Sequence, residues 1–364
     1  METKYIYGII EASEEKVFNT YGFAAHEEVY TIPYRDISAV VSDSLFVDYS
    51  TLPKDQAARY LLAHQQIIEK VMDSYTIVPM KLGTYALNIR EVEEILSKGH
   101  TSFKEIFKKI DNVIEIDVVA TWSDLNSIIK EIGDREEIKK LKEEIMSKPE
   151  GISVEDQIKI GSLIKNILEK EKEKLAMEIE PALRKCSICS KWHGLMDDRM
   201  IFNAAFLIDR DKKTEFERRL DELDKLYNEN NPPSPPFSKG GKGGFSEQKI
   251  NFRCVGPLPT YSFYTAEVKK ISFEEIKWAK EKLGLDNMAA KEEIVKSYRS
   301  KANLCHPDKN PDIPDAESQF DETNRAYRIL LEYCLYAEQA GQGDACVFNK
   351  KEFNQDAIIV KVRG

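Results

Sequence analysis

Residues 289–315, AAKEEIVKSYRSKANLCHPDKNPDIPD, decide the fold of the C-terminal part of this chain. Their first half is rich in helix-forming residues and places Ile294, Tyr298 and Ala302 on one face at helical spacing. Three prolines follow within residues 305–315, and they prevent a continuous helix because proline has no amide hydrogen. The stretch therefore predicts a helix that ends in a well-defined loop.

Helices are also predicted on both sides of this stretch. The segment ISFEEIKWAKEKLG (271–284) has helical periodicity and ends at a glycine that suits a helix C-terminus. A third helix begins at about Asp315 and carries an apolar stripe of Phe320, Tyr327, Leu331 and Cys334. We therefore expect an all-α hairpin over residues 271–337. The tail at 338–364 contains QDAIIVKVRG, whose alternation predicts a strand on a sheet edge upstream.

The first 122 residues alternate between strand-like and helix-like segments. KYIYGIIE (4–11) is aromatic and β-branched, and later segments give the order β-β-β-α-β-α-β, with VIEIDVVATW (113–122) as the closing strand. Strands and helices segregated in this way predict an α+β domain over residues 1–122, with the helices on one sheet face.

A charge-rich helical connector is predicted for residues 123–180. Its last helix starts near Ser153, where Ser153 and Asp156 have the spacing of an N-terminal cap, and Pro181 is predicted to end it. A second α+β domain follows at 181–270, with a strong strand at 201–209 and an amphipathic helix after it. The Pro/Gly-rich insertion at 231–247 cannot form regular structure and is predicted to be disordered.

The composition of the chain excludes several classes of protein. The 364 residues carry a net charge of -10, which disfavours wholesale binding to nucleic acid or to an anionic membrane. No apolar run reaches the roughly 18 residues that a transmembrane helix needs, and the N-terminus is not that of a signal peptide. Six cysteines in a chain of this length do not suggest a disulfide scaffold. We therefore expect the protein to reside in a reducing cytoplasm.

Six short motifs, in order along residues 1–265, carry a resemblance to a known family. They are Tyr5-Ile6-Tyr7-Gly8-Ile9, Asp36-Ile37-Ser38-Ala39-Val40-Val41-Ser42, His64, Val78-Pro79-Met80-Lys81-Leu82-Gly83-Thr84, Asn203-Ala204-Ala205-Phe206-Leu207-Ile208 and Gly256-Pro257-Leu258-Pro259-Thr260-Tyr261-Ser262-Phe263. On these motifs the chain resembles the gas vesicle protein GvpL/GvpF family. Lys81, Leu82 and Leu258 depart mildly from that family's pattern, as does the Pro/Gly insertion.

This resemblance implies an accessory protein for assembly of the gas vesicle, a gas-filled protein shell. It implies two α+β domains of ferredoxin-like character. It also implies binding to the small hydrophobic shell subunit, GvpA, and to other gas vesicle accessory proteins, with the protein in the cytoplasm or associated with the vesicle. No enzymatic activity, catalytic residue, cofactor, nucleic-acid partner or membrane partner is expected.

A second resemblance, to the J domain of the DnaJ family, covers residues 271–337. The matching residues are Leu283-Gly284-Leu285, Glu293-Ile294, Tyr298-Arg299, His306-Pro307-Asp308-Lys309, Phe320, Asn324, Ala326 and Tyr327. The resemblance implies a cochaperone that docks a DnaK-type chaperone ATPase through His306, Pro307 and Asp308 and the basic side chains of Lys296 and Arg299. Ser300, Lys301 and Cys305 depart from the pattern, which leaves open a J-like module that does not stimulate ATP hydrolysis.

Two other readings stay open from the sequence. Cys186, Cys189 and His193 have a spacing that could hold zinc or support thiol chemistry, although a closed zinc site needs a fourth ligand. They would make the protein a zinc- or thiol-dependent enzyme. The other reading is a structural, vesicle-associated protein whose J-like part only mediates an interaction. His64, on an apolar helical row, is predicted to be a satisfied structural histidine.

Overall fold

The computed structural model of the chain describes residues 2–23, 27–149, 151–228, 250–309, 315–339, 345–348 and 357–363. The insertion predicted to be disordered, 231–247, lies outside the described residues. Contacts divide the chain into two units. One unit consists of Met1–Asp111 together with Tyr264–Gly364, and the other is Asn112–Phe263.

An antiparallel sheet with two long helices forms the N-terminal part of the first unit. Its elements are β1 (Glu2–Ile10), β2 (Val17–Tyr21), β3 (Glu28–Tyr34), β4 (Ile37–Leu45), α1 (Lys54–Met72), β5 (Ile77–Pro79), β6 (Tyr85–Ala86) and α2 (Ile89–Ile110). The strand order is β2-β3-β4-β1-β5, and β6 also pairs with β1. The central strands β1 and β4 are almost wholly buried, and the aromatic and β-branched run of β1 suits such a position.

Helix α2 shows how local sequence determines an element of this unit. Asn88 caps its N-terminus by accepting a hydrogen bond from the Glu91 amide at 3.1 Å. One face buries apolar side chains, including Phe103 and Phe107. Gly99 lies where a Cβ atom would come within 2.9 Å of Val360 Cγ1, so the missing side chain lets the C-terminal segment approach this helix closely.

The second unit is another antiparallel sheet with its own helices. Its elements are β7 (Val113–Trp122), α3 (Leu125–Gly133), α4 (Glu136–Met146), α5 (Val154–Arg184), β8 (Cys189–Trp192), β9 (Met200–Asp209), α6 (Lys213–Asn228) and β10 (Ile250–Leu258). The strand order is β10-β7-β9-β8. All four helices contribute to a single apolar core with β7, β9 and β10, in which Phe202, Phe206 and Phe216 are fully buried.

Two features of this unit differ from the sequence-based prediction. Strand β7 was expected to close the domain at 1–122, but it pairs along its length with β9 and β10 of the second sheet. The predicted connector at 123–180 is part of the same unit, because Ile128, Ile138 and Leu175 pack into its core. These side chains form an apolar face on the helices. It is difficult to recognise in the sequence because most of the surrounding residues are charged.

The C-terminal end of α5 is a further correction. Ser153 and Asp156 form the predicted capping box, with the Asp156 amide donating to Ser153 Oγ at 3.2 Å. Pro181, however, lies inside the helix, which continues to Arg184. Ile179 and Leu183 on either side are fully buried, and their packing outweighs the single hydrogen bond that proline removes.

The rest of the first unit begins after the second one. Its elements are β11 (Thr265–Ile271), α7 (Phe273–Leu283), β12 (Met288–Ala290), α8 (Lys291–Cys305), α9 (Ala316–Gln339), β13 (Ala345–Val347) and β14 (Ala357–Arg363). The three helices are those predicted from the sequence. Ser272 and Glu275 form a capping box at the start of α7, and Gly284 ends the helix with a positive φ of 66°.

Strand β14 joins the two parts of the first unit. As predicted, the tail adds to a sheet edge upstream: β14 pairs antiparallel with the whole of β11. Residues 357–360 are all buried, and β14 contacts both α2 and α9. The regions predicted as separate domains, 271–337 and 338–364, therefore share one core with each other and contact the N-terminal part, because the tail strand has an apolar side chain on each face.

Candidate functional site

The loop after α8 is organised by His306. Helix α8 ends here, where the backbone of His306 turns to an extended conformation. Nδ1 of His306 accepts a hydrogen bond from the Asp308 amide at 3.2 Å, and its carbonyl accepts one from the Lys309 amide at 3.1 Å. The ring also packs edge-on against Phe320 of α9, with centroids 5.0 Å apart. One side chain thus shapes the turn and anchors it to the facing helix.

Pro307 and Asp308 present the outer surface of this loop. Pro307 has a fixed φ and no amide hydrogen, which limits the conformations of the turn. The Asp308 side chain is 90% exposed, and its nearest carboxylate oxygen is 4.0 Å from Nδ1 of His306. An exposed carboxylate on a rigid turn is suited to a charge-assisted hydrogen bond with a cationic partner residue.

Helix α8 has one buried and one exposed face. On the buried face, Tyr298 stacks on Tyr327 of α9, with centroids 4.0 Å apart and planes at 11°, and its hydroxyl donates to Asn324 Oδ1 at 2.7 Å. Lys296 and Arg299 lie on the opposite face and are exposed. The stacking fixes the rotation of the helix, so both cations are presented to solvent on the helix that leads into the loop.

The three departures from the J-domain pattern have structural counterparts. The ammonium of Lys301 donates to the Lys282 carbonyl at 2.6 Å, which satisfies a free carbonyl at the end of α7. Cys305 is buried, and its thiol donates to the Lys301 carbonyl at 3.1 Å. Both side chains are thus held by hydrogen bonds inside the hairpin. Ser300 is exposed on α8.

The residues Cys186, Cys189 and His193 make separate contacts. The Cys186 thiol donates to the Leu183 carbonyl at 3.2 Å, and His193 Nε2 is 3.2 Å from Ser262 Oγ. Burial raises the pKa of both thiols, which disfavours the thiolate that metal binding and redox chemistry require. In the part of the chain that the structure describes, no group of three or more His, Cys, Asp or Glu residues could hold a metal ion.

His64 has the structural role predicted for it, in a more deeply buried place than expected. It is 2% exposed, with Nδ1 2.8 Å from the Tyr5 hydroxyl and Nε2 3.0 Å from the Met80 carbonyl. Since a carbonyl can only accept, Nε2 carries the proton and Nδ1 accepts from Tyr5. Burial lowers the pKa of His64 to about 4, so the ring is neutral at physiological pH.

A buried acidic cluster in the second unit was not predicted from the sequence. Glu115 of β7 accepts hydrogen bonds from the Ser262 amide at 2.8 Å and from its hydroxyl at 2.7 Å, and it is 1% exposed. Asp117 lies beside it, and His193 contacts the same serine. The only sequence signal was two acidic residues inside an apolar strand. Burial raises the pKa of Glu115 to about 8, and it also raises that of Asp117.

This cluster predicts a pH dependence of stability. Because the folded-state pKa of Glu115 exceeds its ordinary value of 4.5, the folded state holds the proton more tightly than the unfolded chain does. Its contribution is fully present below about pH 4.5 and is lost as the pH rises towards about 8. We expect Glu115→Gln to lose less stability than the wild type between about pH 5.5 and about pH 9 in urea unfolding. Glu173→Gln, at an exposed site on α5, should behave as the wild type does; equal pH profiles for all three proteins would contradict the prediction.

Comparisons with known proteins match both halves of the chain. A family model described as gas vesicle synthesis protein GvpL/GvpF matches residues 3–238, and a DnaJ domain model matches residues 281–333. Gas vesicle protein F1 of Halobacterium salinarum is 25% identical over 265 residues, which is 72% of this chain and 92% of that protein. The chaperone protein DnaJ of Ruegeria pomeroyi is 54% identical over 48 residues, 13% of each chain. Both resemblances are thereby confirmed.

Solved structures give the same result for the fold. The crystal structure of the gas vesicle protein GvpF from Anabaena sp. superposes with a TM-score of 0.57 at 20% identity, covering 72% of this chain and 98% of that one. GvpF from Microcystis aeruginosa gives 0.54 at 21% identity, covering 71% and 98%. At these identities the likeness shows the fold alone.

Proposed function

This chain belongs to the gas vesicle synthesis protein GvpL/GvpF family and carries a DnaJ domain. We propose that it is a gas vesicle assembly factor in which the DnaJ domain binds a chaperone. Its α+β bodies bind the hydrophobic shell subunit GvpA and other accessory proteins. Its J domain recruits a DnaK-type chaperone. The protein acts by binding and not as an enzyme. The ferredoxin-like character that the resemblance implies for both bodies stays a prediction.

The observation that carries this proposal is the geometry of α8 and its loop. His306 shapes the turn, Asp308 is exposed on it, and Lys296 and Arg299 are exposed cations on the helix that precedes it. The acidic remainder of the chain makes such a face distinctive, since the net charge is -10. A cationic face next to an exposed carboxylate fits a partner surface that is mainly acidic with a cation at its edge.

There is a physical reason to combine binding of the shell subunit with recruitment of a chaperone in one chain. A shell subunit that must repel water on one face exposes apolar surface before assembly, and such surface aggregates unless it is covered. A binding protein can cover it, and an ATP-driven chaperone can control when it is released. We expect the protein in the cytoplasm or on the vesicle; within the described residues, no helix is long and apolar enough to span a membrane.

The structure also supports a fixed position for the recruited chaperone. Glu332 of α9 accepts from Lys269 of β11 at 2.6 Å and from Lys361 of β14 at 2.8 Å. These two cations hold the pKa of the Glu332 carboxyl below its usual range, despite burial, which acts in the opposite direction. Lys81, just after β5, bonds Glu267 of β11 at 2.8 Å. These ion pairs hold the J domain against the N-terminal part of its unit. We propose that the recruited chaperone is therefore bound at a fixed position relative to the shell subunit.

Two assays test the proposal on the full chain. Pull-downs with the shell subunit GvpA and with a DnaK-type chaperone should each recover the protein. The chaperone's ATP hydrolysis should rise when the protein is added. Binding to neither partner would overturn the proposal. Binding to the chaperone without any rise in hydrolysis would favour the alternative of a J-like interaction module.

The basic face of α8 gives a prediction about association rate. Reversing both charges with Lys296→Glu and Arg299→Glu should slow association with the chaperone about tenfold or more at low ionic strength, with a smaller effect at high salt. Lys277→Glu, at an exposed lysine on α7, is the control for one charge reversal and is compared with Lys296→Glu alone and with Arg299→Glu alone. Stopped-flow or surface-plasmon measurements at two salt concentrations provide the test. Equal slowing by the control would show that only net charge matters.

A further inference from the structure

Two thiols of the C-terminal region face each other in its core. Cys334 of α9 is 2% exposed, Cys346 of β13 is 3% exposed, and the Cys334 thiol is hydrogen-bonded to Cys346. Both are free cysteines. No motif marked them in the sequence, because 11 residues separate them and they meet only when β13 folds onto α9.

Neighbouring contacts fix the relation of these two residues. The Tyr333 hydroxyl donates to the Val347 carbonyl at 2.6 Å, which ties the residue before Cys334 to the residue after Cys346. Tyr333 also packs against Phe348, with ring centroids 5.7 Å apart. On its other side, Cys346 pairs with Ala289 of β12. The thiols are therefore held together by backbone and ring contacts that do not depend on the sulfur atoms.

The two thiols interact with each other and lie near a charged pair at the surface. Each side chain is within hydrogen-bonding reach of the other. The ion pair of Lys291 and Glu338, with 3.7 Å between Nζ and Oε1, acts electrostatically on both thiols and is half exposed. The pair therefore lies close beneath a solvated surface.

We propose that Cys334 and Cys346 are an oxidisable dithiol, a modification site that closes to an intramolecular disulfide when the chain meets a hydroperoxide. One thiol of the pair loses its proton and its thiolate attacks a peroxide oxygen, the O–O bond breaks, and the leaving alkoxide or hydroxide takes up that proton, which gives a sulfenic acid and an alcohol or water. The second thiol then attacks that sulfur and loses its proton as water leaves. Two thiols are oxidised and one peroxide is reduced.

The other cysteines differ from this pair. The thiols of Cys186 and Cys305 donate to carbonyls of their own helical segments, and Cys254 is exposed on β10. Closing the pair covalently ties β13 to α9, the helix that faces the loop of His306. Because the bridge restrains the unfolded chain, oxidation should raise the melting temperature of this region.

Thiol counting on the full chain tests the proposal. After treatment with hydrogen peroxide, a thiol reagent in denaturant should find two thiols fewer per chain in a Cys254→Ser background, which avoids cross-linking between chains. Peptide mapping without reductant should show Cys334 joined to Cys346. The melting temperature should rise by several degrees and return on reduction.

Two matched variants keep the test decisive. After peroxide treatment, the Cys346→Ser protein should keep all of its remaining thiols, and its melting temperature should not rise. The Cys186→Ser protein, which changes another buried cysteine, should still lose two thiols per chain. A full thiol count after peroxide in the Cys254→Ser protein would overturn the proposal. So would a disulfide that involves any other cysteine, or sulfinic acid at either Cys334 or Cys346 without a bridge.

Discussion

Replacing His306 with glutamine is expected to reduce stimulation of the chaperone's ATP hydrolysis to about the basal rate while the chain stays folded. Two contacts of the ring would be lost or weakened: acceptance from the Asp308 amide through Nδ1 and the packing against Phe320. Glutamine can accept a hydrogen bond but has no flat ring to anchor the turn. The exposed Asp308 carboxylate would then no longer be held in one orientation, and preorganisation of the docking surface would be lost.

The expected cost in stability is small, because the residue lies in a loop and its side chain is 36% exposed. We expect a change in unfolding free energy of about 1 kcal/mol or less. Single-turnover ATP hydrolysis with the full chain measures the effect, and a thermal melt checks the fold. Glu317→Gln, exposed at the start of α9 beyond the loop, should stimulate normally. If the His306→Gln protein stimulated as the wild type does, the loop would not be the docking site.

Sequence patterns predict the helices and strands of this protein better than they predict which of these elements pair or pack with each other. The capping boxes at Ser153 and Ser272 and the helix end at Gly284 follow from contacts within a few residues, and all three are present. The partners of β7 lie roughly 80 and 130 residues further on, so its sequence gave no means of assigning it to the correct sheet. The local preference of proline predicts a helix end at Pro181, but burial of the neighbouring side chains keeps α5 helical to Arg184.

The same reasoning applies to the candidate sites. The loop of His306 is predictable because His306, Pro307, Asp308 and the cations of α8 are close in sequence. Glu115 contacts Ser262 across 147 residues, and no local pattern signals such a pair. The spacing of Cys186 and Cys189 suggested a site, but one thiol bonds a helix carbonyl and the other lies on an edge strand. Local spacing is informative where an element or turn brings the side chains together.

Removing the side chain of Ile359 is expected to be the most destabilising single change in the C-terminal region. Ile359 is fully buried in the core that β14 shares with α7 and α9. Ile359→Ala should lower the unfolding free energy by about 2 to 4 kcal/mol, because a cavity is added to the lost burial. For a unit of this size the melting temperature should fall by about 5 to 15 °C. Val362→Ala, on the same strand but half-buried, should cost much less.

The extent of this effect tests whether the J domain is part of the N-terminal body. Val360, the neighbour of Ile359, lies against α2 at Gly99, so β14 cannot loosen from α9 without disturbing the contact with α2. We therefore expect hydrogen exchange in Ile359→Ala to quicken in α2 as well as in α7 and α9, with chaperone stimulation reduced in proportion to the folded fraction. Faster exchange confined to residues 271–339 would show that the J domain unfolds independently, and that the chaperone is carried on a tether and not at a fixed place. The buried strand β14 and the two lysines bonded to Glu332 predict that protection from hydrogen exchange is lost together in the N-terminal part and in the J domain.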